Sequence, residues 1–129
     1  MKKFISSAIV LTSLAFVSCR KETTPGPVIN PAPHSINVEY RAYDESGHIN
    51  LQYTLPTASG STTTQMQVDR TTYSYAFTWT SGQTLSVKAS NVNPSGKEVS
   101  VEIYVNGQLF KSGQADAPNA SAAASGIYQ

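Results

Sequence analysis

The sequence predicts an all-β domain, an antiparallel β-sandwich of about seven strands, and three observations carry that expectation. Beyond position 34, apolar side chains recur at every second residue, which is the period of a half-buried strand and not of a helix. Turn-forming residues interrupt these runs at short intervals, as they do in sandwiches. The one alanine-rich stretch is hemmed in by Pro118, Ser and Gly and is too short for a stable helix.

The strands follow in order. Ile36, Val38, Tyr40 and Ala42 alternate with Asn37, Glu39 and Arg41, and the turn-like Asp44-Glu45-Ser46-Gly47 ends that run. Ile49, Leu51, Tyr53 and Leu55 make a second row. Thr57 to Thr63 is polar and reads as a connection to a short third strand around Met66 and Val68. In the fourth, Tyr73, Tyr75, Phe77 and Trp79 share one face, expected to pack in the core. Leu85, Val87 and Ala89 mark the fifth, and Asn93-Pro94-Ser95-Gly96 is a turn in which Pro presets one φ and Gly accepts a positive one. Val99, Val101, Ile103 and Val105 mark the sixth. Asn106-Gly107 then closes a two-residue type I′ hairpin, which needs positive φ at both positions. The register pairs Val105 with Gln108, Tyr104 with Leu109 and Ile103 with Phe110, so Phe110 belongs to the core face and Leu109 lies outside with Tyr104. On composition, the segment from Asn119 to Gly126 fits both a low-complexity tail and a last strand of small residues.

The N-terminal quarter differs. Lys2 and Lys3 precede an uncharged run from Phe4 to Ser18, the pattern of a secretory signal. As a helix this run reaches only about 22 Å, short of the roughly 30 Å hydrocarbon core of a bilayer. Ala15-Phe16-Val17-Ser18-Cys19 resembles the bacterial lipobox, whose cysteine is acylated and becomes the first residue after cleavage. Cys19 is the chain's single cysteine, so it has no disulfide partner within the chain, and it reads as a lipidation site and not a nucleophile. Two or three acyl chains make such attachment effectively permanent. No Asp follows Cys19, which in lipoproteins of this kind favours the outer membrane; the tract resembles lipoproteins of the Bacteroidetes type. Prolines 25, 27, 31 and 33 then make a stalk, since proline lacks an N–H and fixes its φ. The expected division is a signal peptide over 1–18, a lipid anchor and Pro-rich linker over 19–34, and a sandwich domain over 35–129.

Charge narrows the function classes. Charged residues are 13% of the chain, against roughly 25% in ordinary soluble domains. Without Lys2 and Lys3, the basic residues no longer outnumber the acidic ones, so the clustered cationic surplus that a nucleic-acid binder needs is missing.

The order of the segments Val38 to Tyr43, Asn50-Leu-Gln-Tyr-Thr, Tyr73 to Trp79, Leu85 to Asn91 and Val99 to Lys111 resembles the MmpS family of small mycobacterial envelope proteins and related lipoproteins. The resemblance covers about residues 36 to 126. It implies an Ig-like sandwich, a final strand at Ala120 to Gly126, and a non-enzymatic role as accessory to RND-type export systems. Two features depart from the family. A lipobox stands where many members have a transmembrane helix, and the last strands lack the cysteine pair that many carry.

Chemistry-bearing motifs are sparse. His34 and His48 have no third ligand at metal spacing and read as loop histidines, with no metal or cofactor expected. Asp44 and Glu45 read as a turn, since a calcium loop needs more acidic positions. No nucleophile elbow, phosphate loop or dinucleotide fingerprint is present. The outward residues Tyr43, Tyr104 and Leu109 are the candidate binding positions, an apolar patch for an envelope partner such as a transporter or, in a second reading, for a carbohydrate ring; a purely structural lipoprotein is the other alternative.

Overall fold

A computed structural model describes residues 31–91 and 98–129. The leader, Cys19, most of the proline stalk and the Asn93-Pro94-Ser95-Gly96 turn lie outside the described residues. Within them the chain forms eight strands: β1 (Ser35–Asp44), β2 (Ile49–Thr57), β3 (Gly60–Val68), β4 (Thr72–Thr80), β5 (Thr84–Asn91), β6 (Glu98–Val105), β7 (Gln108–Asp116) and β8 (Ser121–Ile127). They make two four-stranded sheets of order β4-β1-β6-β7 and β3-β2-β5-β8. Every neighbouring pair is antiparallel, as expected of a β-sandwich.

The period-two rows become the core. Ile36, Val38, Tyr40 and Ala42 of β1 and Val99, Val101, Ile103 and Val105 of β6 are buried, facing Ile49, Leu51 and Tyr53 of β2 and Leu85, Val87 and Ala89 of β5. Each large aliphatic side chain so buried contributes about 1.5–3 kcal/mol relative to exposure. The central strands β1, β6, β2 and β5 supply nearly all of this core, which leaves the outer strands less covered.

Two turns hold the ends. Asp44 Oδ1 accepts the Ser46 N–H at 2.7 Å, an Asx turn, and Gly47 follows with φ 76°. Asn106 and Gly107 have φ 50° and 79°, the type I′ geometry that Asn-Gly predicts. Asn106 also latches this hairpin to β1: its N–H donates to the Asn37 carbonyl at 2.8 Å, and its Oδ1 accepts the Asn37 N–H at 3.0 Å.

The structure corrects the sequence reading at four places. The polar stretch after Thr57 is not a long connection, because β2 turns directly into β3 with Thr57 paired to Gly60. Threonine is β-branched and suits a strand, but the inward face of β3 near Thr62 is exposed, so no apolar alternation marks it. Ile103 pairs with Lys111 and not with Phe110, because a bulge follows the Tyr104–Leu109 pair and leaves Phe110 as the extra residue. Phe110 still packs at the core margin, its ring 5.4 Å from that of Tyr128. The alanine-rich end is strand β8, the final strand that the resemblance implies, so the correction there is only to the number of strands, eight where about seven are expected. Finally, only Trp79 of the four β4 aromatics is fully buried; Tyr73 and Phe77 are half-buried and Tyr75 is exposed.

The reason for small residues in β8 is visible opposite it. β7 and β8 belong to different sheets but close together at one side of the sandwich: a Cβ on Gly113 would stand 2.8 Å from the carbonyl carbon of Ala123. Ala122 and Ala124 fill what little depth remains.

Candidate functional site

The outer face of the β4-β1-β6-β7 sheet carries the candidate positions. Alternation along β1 turns Glu39, Arg41 and Tyr43 outward, and β6 turns Ser100, Glu102 and Tyr104 the same way. The β1–β6 register sets Glu39 opposite Tyr104, Arg41 opposite Glu102 and Tyr43 opposite Ser100.

Arg41 organises this surface. Its Nε and Nη2 donate to the two carboxylate oxygens of Glu39, each at 2.9 Å, and its guanidinium carbon lies 4.2 Å from the centre of the Tyr104 ring. Ser74 of β4 donates a further hydrogen bond to Glu39 Oε1 at 2.5 Å. The Arg41 hydrogen bonds, and then that of Ser74, hold the Glu39 carboxyl below its ordinary range, so it is ionised at neutral pH. An exposed ion pair of this kind contributes little to stability. What it does is fix a planar cation over an aromatic ring at a set place on the sheet.

Tyr104 and Leu109 are brought together as a cross-strand pair across the β6–β7 hairpin. Leu109 is 53% exposed, while Tyr104 is half-covered beneath Arg41. Tyr43, 36% exposed, stands apart: it lies four residues along β1 from the Tyr104 level, roughly 13 Å at strand rise. The three therefore do not make one apolar patch. They form two apolar ends joined by the Arg41–Glu39 pair. Beside Tyr43 a shallow depression of about 310 Å³ is lined by Arg41, Thr72, Ser74, Ser100 and Glu102.

Sequence reasoning singled out the two tyrosines and the leucine but missed Arg41, Glu39 and Ser74. Outward parity was available for each of them. The signal that joins them is the pairing of β1 with both β4 and β6, which is non-local and has no trace in any one segment.

The two histidines each have a polar partner away from this face. His34 Nδ1 shares a hydrogen bond with Ser81 Oγ at 3.0 Å, and His48 Nδ1 meets Asp69 Oδ1 at 3.0 Å on an exposed loop. Among the described residues no three His, Cys, Asp or Glu side chains gather as a metal site.

Compared with known proteins, the chain matches no protein-family model and no curated protein at a significant level.

Proposed function

We propose that the chain is a lipid-anchored cell-envelope protein that works by binding and not by catalysis. Acylated Cys19 fixes it to the outer membrane, the proline-rich stalk lifts the sandwich from the surface, and the outer face of the β4-β1-β6-β7 sheet engages an envelope partner. The MmpS-like, Ig-like pattern of the strands suggests that the partner belongs to an RND-type export system. The observation that carries the binding reading is the Arg41–Tyr104 stack with Leu109 exposed beside it. Aromatic and arginine side chains next to an exposed apolar residue are what protein interfaces concentrate.

The test is in cells. Wild-type protein should fractionate with the outer membrane and crosslink to a membrane-protein complex. Leu109→Asp and Tyr104→Ala should lose the crosslinked band while remaining in the membrane, and Cys19→Ala should leave the membrane fraction. A Cys19→Ala chain that stays in the membrane overturns the anchor, and crosslinking indifferent to Leu109 overturns the interface.

A second reading, binding of surface carbohydrate, is favoured by the depression beside Tyr43, where an exposed ring adjoins Arg41, Ser100 and Glu102. Flat rings flanked by planar polar groups suit sugars. Glycan-dependent quenching lost in Tyr43→Ala would select this reading over the first.

A further inference from the structure

The two sides of the sandwich treat their edge strands differently. On one side β7 carries a bulge, the charged Lys111 opposite inward Ile103, and a close backbone approach to β8. These are the devices by which edge strands avoid pairing with other chains. On the other side β4 reads Thr-Tyr-Ser-Tyr-Ala-Phe-Thr-Trp-Thr, with no charge, proline or glycine, and its pairing with β1 runs from Thr72 to Thr80 without a register shift. Among the described residues nothing pairs with its far edge.

The backbone groups on that edge can be assigned. The Asp44 N–H donates to the Thr71 carbonyl and the Ser81 N–H to the His34 carbonyl, so odd-numbered residues of β4 turn their polar groups to β1. Thr72, Ser74, Ala76, Thr78 and Thr80 then direct N–H and C=O outward. The inward face is equally unfinished. Tyr75 remains 39% exposed although it points to the core side, with Phe77 half-buried at a centroid distance of 5.7 Å from it.

We infer that β4 is a self-association edge: two copies of this chain pair β4 antiparallel with β4 about a two-fold axis at Ala76, joining their sheets into one. The strand is complementary to its own reverse. The axis sets Thr72 against Thr80, Ser74 against Thr78 and Ala76 against itself as hydrogen-bonded pairs, using every outward N–H. It sets Tyr73 against Trp79 and Tyr75 against Phe77 as non-hydrogen-bonded pairs, where side chains approach most closely, at a Cα separation of about 4.5 Å. Aromatic cross-strand pairs of this kind are stabilising. The absence of charge matters specifically for a second copy, because a two-fold axis brings any central charge against itself. A joint one strand long is a small interface, so the expected dissociation constant is roughly micromolar. The inference stands on the free edge of β4 and is independent of the outer-face binding proposed above.

Sedimentation of the full chain in mild detergent at about 100 µM, well above that constant, should give twice the protein mass of Ala76→Glu under the same conditions. Mixing Ala76→Glu with Ala76→Lys should restore the doubled mass, since opposite charges then meet at the axis. In a Cys19→Ala background, Ala76→Cys should oxidise to a disulfide dimer, because paired Cα atoms there lie about 5.5 Å apart. Thr80→Cys, which faces Thr72 of the other copy, should not. A wild-type chain that sediments as a monomer overturns the inference, as does failure of the Glu and Lys variants to combine. Equal crosslinking at positions 76 and 80 also overturns it. A wild-type chain that dimerises but gives no envelope crosslink would instead count against the outer-face reading alone.

Discussion

Tyr40 shows how one side chain joins the two sheets. Its ring lies among aromatics, 5.0 Å from Phe77 and 5.9 Å from Tyr53 between centroids. Its hydroxyl crosses to the other sheet, sharing a hydrogen bond with Thr54 Oγ1 at 2.9 Å and accepting the Ser86 N–H at 3.2 Å. Burial raises the Tyr40 hydroxyl above its ordinary value of 10.0, and burial also raises Tyr73, whose hydroxyl meets that of Tyr53. The sign follows from linkage: the folded state prefers the neutral phenol, so this stability is fully present below pH 10 and is lost as pH rises towards the folded-state values. Denaturant titrations should show stability falling on the alkaline side of about pH 10. Tyr40→Phe should lose about 1 kcal/mol at neutral pH and show a shallower alkaline decline. Equal alkaline slopes in the two proteins would contradict this account.

At the scale of elements, the contrast between the closed β7–β8 side and the open β3–β4 side organises the fold. The close approach depends on Gly113, because a Cβ there meets the backbone of Ala123, which cannot move aside as a flexible side chain would. Gly113→Ala should therefore cost about 1–3 kcal/mol, read as a lower midpoint in thermal unfolding. A midpoint unchanged from wild type would mean that β7 and β8 separate without penalty. This side also shows what sequence can and cannot reveal. Alternation located β1, β2, β5 and β6 because their inward rows are buried, and Asn106-Gly107 located the hairpin because its φ requirement is local. The bulge at Phe110 and the strand character of Ser121 to Ile127 were not legible from pattern alone, since both answer to a neighbour distant in sequence: Tyr128 and Gly126 beside Phe110, and Gly113 beside Ala123. The same holds for Arg41. Its charge is plain in the sequence, but the ring beneath it arrives only when β6 pairs with β1.

For the molecule as a whole, the order of strands sets a schedule. β1 lies between β4 and β6, so Val38 is flanked by Phe77 on one side and Val105 on the other, and neither neighbour is close in the chain. Such non-local pairing places folding in the range of milliseconds to seconds. Refolding from denaturant should fall there, and a microsecond phase accounting for all of the amplitude would be inconsistent with this topology. The latch between Asn37 and Asn106 makes the same point at one contact, tying the beginning of the first strand to the turn after the sixth. A chain delivered N-terminus first, whether from a ribosome or through a channel, thus presents its central strand long before either flanking strand exists. Val38 and Tyr40 must wait in solvent until Val105 has emerged. Completion is therefore a late and nearly single event, and the first strand stays without its sheet neighbours for most of the chain's delivery.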